Sequence, residues 1–372
     1  MKKITFLILL IFICAKSLFA SSYLFFKRFQ VEDGLSHNTV WCGMQDSYGF
    51  LWFGTSDGLN CYDGRTNKIY RNVLNDKFSL ENNFVQTLFE ENQRNIWVGT
   101  NWGIYIYDRN TNHFTHFNKR TNYGVLISSE VRKIIRTNNG LIWIATLGQG
   151  LFIYNPKTNI LIQNSLQTSF VWDICESNTH NVYISSLQDG LFCFNENGII
   201  KKLPSAFTRI YNNTGRHKVN CIANIGGSIW MGTDDKILYK WDENKKLLSS
   251  YNASPVSMGV IRCMLDYSKE ELLLGTENGA YLFNYKTGSF SRADDPSLRT
   301  GALSDLSINN MLKDAEGGIW VLTNLGGINY ASKQTKHFES YYSADSSKES
   351  SGIVVGPFCE DQAGNIWIGT RD

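Results

Sequence analysis

The sequence is short of proline, of charge and of long apolar runs. Its 372 residues include five Pro against thirty-one Gly, which excludes a proline-rich or collagen-like chain and points to many tight turns. Charged residues are only 19% of the total while aromatics reach 13%, a balance that excludes a largely disordered chain. The formal charge is +2 with no basic run, so nucleic-acid binding has little electrostatic basis. Beyond the first twenty residues no stretch approaches the roughly eighteen uninterrupted apolar residues of a membrane helix.

Chemical motifs are equally scarce. Seven of the eight Cys follow the N-terminal segment, at 42, 61, 175, 193, 221, 263 and 359. An odd number without a CxxC pair is neither a disulfide framework nor a zinc site. There is no GxxxxGK or HExxH, and the six His are scattered, so neither a metal nor a cofactor is expected. The carboxylate pairs Asp234–Asp235 and Asp294–Asp295 read as turn residues rather than an acid/base pair.

The N-terminus reads as an export signal. Lys2 and Lys3 precede an apolar run of eleven, Ile4 to Cys14, too short for a mature span. Cleavage is expected after Ala20, although Leu18 is larger than ideal, and an uncleaved anchor is the alternative. Ile11, Phe12 and Ile13 lack the small residues of a lipobox before Cys14. Loss of residues 1–20 removes three Lys and no acid, leaving 33 bases against 34 acids.

What the sequence does have is a repeated phrase. FLWFGTSDGLNCYD, NIWVGTNWGIYIYD, LIWIATLGQGLFIYN and NVYISSLQDGLFCFN are followed by SIWMGTDDKILYKWD, ELLLGTENGAYLFN, GIWVLTNLGGINYA and NIWIGTRD. The anchor position holds Trp52, Trp97, Trp143, Tyr183, Trp230, Leu273, Trp320 and Trp367, at gaps of 40–47 residues. Short alternating strands at this period predict an all-β fold: a seven-bladed β-propeller of four-stranded antiparallel blades, followed by the first strands of a second propeller. The anchors are expected to fill the wedges between blades, with Cys61 and Cys193 as small apolar fillers. A hydroxyl three residues after each anchor, Thr55 through Thr370, is expected to satisfy the next turn. Residues 1–20 are thus read as a signal peptide, 21–342 as the propeller, and 343–372 as a linker and the start of an eighth repeat. Tyr23–Gln30 resembles a fourth strand and is expected to close the ring on the seventh blade, releasing Phe338–Ser343.

One slot varies in a fixed frame. Twelve residues before the anchor stand Val40, Val85, Val131, Val171, Ile308 and Val355. The residues that follow the slot are Trp41, Gln86, Arg132, Trp172, Arg262, Asn309 and Gly356, with unit five shifted by one near Asn220. This slot opens the innermost strand, so its residues are expected near the mouth of the central channel. There Trp could stack on a sugar face and Arg could pair with an anion. The blander reading packs both Trp between blades and pairs both Arg with local acids. Trp102 and Asp57 in neighbouring turns, and Arg209, Arg216 and His217 in the long 207–220 connection, complete the candidate face.

The stretch GLSHNTVWCGMQDSYGFLWFGTSDGLNCYDG at residues 34–64 closely resembles the two-component regulator propeller repeat, as do NIWVGTNWGIYIYD and NIWIGTRD. Units four and six depart from it at Tyr183 and Leu273, and unit five has Lys236 in place of the turn Gly. The resemblance implies the periplasmic sensor region of a hybrid two-component histidine kinase that responds to oligosaccharides, its homodimer formed through C-terminal parts missing here. It further implies an N-terminal portion of a longer sensor, with no kinase, DNA-binding or membrane segment of its own. Two other readings are a secreted propeller lyase or glycoside hydrolase acting on polysaccharide, and a protein-binding scaffold.

Overall fold

Short strands with two apolar faces are stable only when sheet stacks on sheet, and the computed structural model is built that way. It describes residues 23–166, 168–207, 210, 218–253, 256–297, 301–333, 354–362 and 366–371. The expected export signal lies outside them. The chain divides into two compact units, 1–333 and 334–372.

The first unit contains seven four-stranded antiparallel sheets. In the first blade Val40–Gln45, Leu51–Thr55, Gly58–Tyr62 and Asn67–Tyr70 pair in chain order. Innermost strands of successive blades touch, and the seventh, Ile308–Lys313, touches the first. The seventh blade takes its outer strand from the N-terminus. Lys27–Phe29 pairs with Ile328–Ala331, Lys27 opposite Tyr330 and Phe29 opposite Ile328. Phe29 stacks on Trp320 at 5.8 Å. The ring is therefore closed by β-sheet hydrogen bonds, as the sequence suggests; Phe338–Ser343 lies outside the described residues.

Apolar side chains gather in the wedges between blades. Trp52 packs with Val85 and Ile96, Trp97 with Val131 and Ile144, and Trp320 with Val40 and Phe53. Trp97 and Trp143 are at most 1% exposed, and Tyr183, Trp230 and Leu273 are also buried. The hydroxyl after the anchor works as expected. Thr55 donates to the Gly58 carbonyl at 2.9 Å and accepts the Asp57 N–H at 3.1 Å; Thr100, Thr146, Thr276 and Thr323 make the same donation.

A second partner of the anchor comes from the turn before it. The indole N–H groups of Trp52, Trp97 and Trp320 donate to Asp46, Glu91 and Asp314, each six residues earlier, at 2.7, 3.1 and 2.8 Å. In the third blade that position is Thr137, and the buried Trp143 indole N–H has no partner among the described residues.

In the second unit Val354–Glu360 pairs with Ile366–Arg371. Trp367 departs from the expected wedge role, being 64% exposed. A wedge needs two facing sheets, and the described residues of this unit form one hairpin. Its indole still donates to Asp361 at 2.9 Å.

Candidate ligand site at the channel mouth

Every blade of the ring has a β-bulge at the same place. Pairing of the first with the second strand skips one residue between Val40 and Cys42, Val85 and Thr87, Val131 and Lys133, and Val171 and Asp173. It does so again between Val219 and Cys221, Ile261 and Cys263, and Ile308 and Asn310. A bulge leaves its extra residue out of the ladder and re-aims it. The flanking Val and Ile are fully buried, and the re-aimed residues are Trp41, Gln86, Arg132, Trp172, Asn220, Arg262 and Asn309. All seven line one central channel of ≈ 810 Å³, within the range of about 300–1,000 Å³ typical of small-molecule sites.

The ring is linked to itself and to the turns above it. Arg132 donates to Gln86 at 2.8 Å and lies 3.9 Å over the Trp172 ring. Arg262 donates to Asn309 at 3.3 Å, and Asn309 donates to the Val40 carbonyl at 3.0 Å, which joins blades six, seven and one. Trp41 donates to Ser56 at 2.9 Å and packs on Phe84. Gln86 reaches Asn101 at 3.4 Å. Both arginines also meet acids, Arg132 with Glu130 at 3.2 Å and Arg262 with Glu277 at 2.6 Å. The two readings of this slot thus coexist: the side chains ring the channel, and they are locally paired.

One residue deeper lie Cys42, Thr87, Lys133, Asp173, Cys221, Cys263 and Asn310. Lys133 faces Asp173 across 3.6 Å, and that carboxylate raises the lysine pKa. Asp173 also accepts the Ile222 N–H at 2.9 Å, bridging blades four and five. Burial pushes the Cys42 and Cys263 thiols up to about 12 and Cys221 well above its ordinary value, so these thiols are poor nucleophiles at neutral pH. Burial likewise lowers the Arg132 pKa against the pull of Glu130. Among the described residues no group of three His, Cys, Asp or Glu is arranged to hold a metal.

Of the residues expected at this face, Trp102 is 69% exposed and does not line the channel. A turn residue one position beyond Asn101 points outward rather than inward. Asp57 pairs with Arg71 at 3.1 Å, also away from the lumen lining. Arg209, Arg216 and His217 lie outside the described residues. Glu130, Lys133, Asp173 and Glu277 were not singled out by the repeat. Their signal was available: Glu130 precedes Val131, Lys133 and Asp173 stand two residues after Val131 and Val171, and Glu277 follows Thr276, positions where other units carry something else.

This architecture is a closed propeller with one variable residue per blade at its channel. Three of its stretches, residues 34–57, 79–102 and 350–372, match the two-component regulator propeller family. A curated relative, Histidine kinase P4 of Formosa agariphila, is 53% identical over 55 residues, 15% of this chain and 4% of that protein. Among solved structures, the extracellular domain of hybrid two-component system BT3049 from B. thetaiotaomicron superposes with a TM-score of 0.73 at 26% identity. That match covers 93% of this chain and 47% of the other, so the chain spans about half the length of that domain. A streptogramin B lyase shares the fold, with a TM-score of 0.63 at 12% identity over 84% of this chain and 98% of that one. No helix among the described residues is long and apolar enough to cross a membrane.

Proposed function

We propose that this chain is the ligand-sensing propeller portion of a hybrid two-component sensor, exported to the periplasm by residues 1–20, and that it reads an oligosaccharide at the channel mouth. The likeness to extracellular propeller domains of such systems supports the sensor role. The observation that carries the ligand site is the ring of bulge residues, where an invariant frame displays Trp, Arg, Gln and Asn around one lumen. Apolar faces of Trp suit the C–H face of a sugar, and amides suit its hydroxyls. In the whole sensor, residues 343–372 begin a second propeller, and pairing of two copies outside this chain carries the signal across the membrane. A ligand touching several blades binds the closed ring and not the unfolded chain, so it raises the melting temperature.

Calorimetry of the chain against a panel of oligosaccharides tests the site, with Arg132→Ala and Arg262→Ala beside the wild type. The expected result is binding without turnover, weakened about tenfold or more by either change, the loss of a charged hydrogen bond. Unaltered affinity in both variants would reject the channel mouth. Shortening of the glycan during the titration would favour a propeller enzyme instead.

A further inference from the structure

Charge in the channel wall is balanced group by group. The described lining carries three cations, Arg132, Lys133 and Arg262, and three acids, Glu130, Asp173 and Glu277. Each cation has its own acid, at 3.2, 3.6 and 2.6 Å respectively. An incoming carboxylate or sulfate would meet guanidinium groups already neutralised and acids in the same shell. It would gain little attraction to offset the partial loss of its hydration at the channel mouth. An uncharged ligand escapes that cost.

Apart from the Thr87 hydroxyl and the buried thiols, the remaining polar side chains of the lining are of one kind. Gln86, Asn101, Asn220, Asn309, Asn310 and Asn324 are all amides, and an amide both donates and accepts, as a hydroxyl does. The Asn220 amide nitrogen is buried with no protein partner among the described residues. Trp172 stands beside it in the ring with one face under Arg132. Apolar ring faces and amides without net charge match polyhydroxylated rings.

We infer that the channel takes a neutral oligosaccharide and discriminates against uronic-acid and sulfated ones, with Glu130 and Glu277 as the discriminating residues. The inference rests on the channel being the glycan site and names its substrate class. Each glutamate offsets the charge of an arginine; replacing both would leave two guanidinium charges at the lumen without their acids.

The test is calorimetry at low and high salt with three probe sets. These are short neutral gluco-, manno- and galacto-oligosaccharides, oligogalacturonides, and sulfated galacto-oligosaccharides. Wild type, Glu130→Gln/Glu277→Gln and Trp172→Ala are compared, each first shown to melt cooperatively. The expected result is that a neutral probe binds, insensitive to salt and lost in Trp172→Ala, with charged probes about tenfold weaker or more. In the double glutamine variant, charged probes gain affinity in a salt-dependent way while the neutral one changes little. If a charged probe binds the wild type more tightly than any neutral probe and Trp172→Ala abolishes it, the inference falls and the glycan site stands. If charged probes gain nothing in the double variant, the discriminating role of the glutamates is refuted. If no probe of any set binds, the glycan reading and this inference fall together.

Discussion

A single buried side chain here is worth as much as its partner allows. Trp97 fills a wedge and donates to Glu91 at 3.1 Å, so Trp97→Ala is expected to cost about 3–5 kcal/mol in chemical denaturation. Trp143 fills its wedge equally, but its N–H has no partner among the described residues, and Thr137 stands six residues before it. Placing an acceptor there, as Asp46 and Asp314 do in their blades, should repair it. Thr137→Asp is expected to raise stability by about 1 kcal/mol, read from the urea midpoint. Lys236 gives a second repair. It sits at φ 65°, in the slot where Gly58, Gly103 and Gly279 have φ of 118°, 90° and 98°. A side chain in the left-handed region costs roughly 1–2 kcal/mol, and Lys236→Gly should recover about 0.5–1 kcal/mol of it after the entropy of glycine is counted. A drop in melting temperature for this variant would contradict the strain.

Turns tie one blade to the next, and between blades four and five the tie is a carboxylate held by neutral donors. Glu243, in the turn after Ile237–Asp242, accepts from Thr179, Asn181 and Tyr183 at 2.6, 3.0 and 2.7 Å. Burial opposes its charge, but hydrogen bonds from Thr179, Ser177, Asn181 and Tyr183 outweigh burial and hold its pKa below the ordinary value. A depressed folded pKa means the contribution is present above the unfolded pKa and is lost as pH falls through the folded one. Glu243→Gln is therefore expected to destabilise by about 1–2 kcal/mol at neutral pH. The gap from wild type should close as pH falls below about 4. The strands that these turns join were legible because Trp, hydroxyl and Gly recur at fixed offsets. The bulge was not, since a count of residues along one strand cannot show that its partner is one shorter. Tyr183 without its tryptophan is explained only by the structure, where Glu243 of the next blade replaces the acid of its own turn.

At the scale of the whole molecule, closure is what the N-terminal strand supplies. Seven wedges are complete only if the seventh blade meets the first, and Lys27–Phe29 is the outer strand of that seventh blade. Deleting residues 23–30 is expected to lower the melting temperature and broaden the transition, followed by circular dichroism. An unchanged, equally sharp melt would show that the ring holds without this strand. The number of blades could be read from the period, and the channel position of Trp41, Arg132, Trp172, Arg262 and Asn309 from one slot. Trp102 could not be separated from them in that way. Turn residues one position apart point in opposite directions, and only coordinates distinguish them.

The bulges also bear on how such a protein can change. The seven displaced residues take no part in the ladder, while the Val or Ile beside each is locked in a wedge. Specificity and foldability are therefore written in different letters of the same strand. A library randomised at positions 41, 86, 132, 172, 220, 262 and 309 should keep most of its members folded, whereas one randomised a single residue earlier should lose nearly all of them. New recognition could then evolve by substitution alone, without rebuilding a loop or re-registering a sheet.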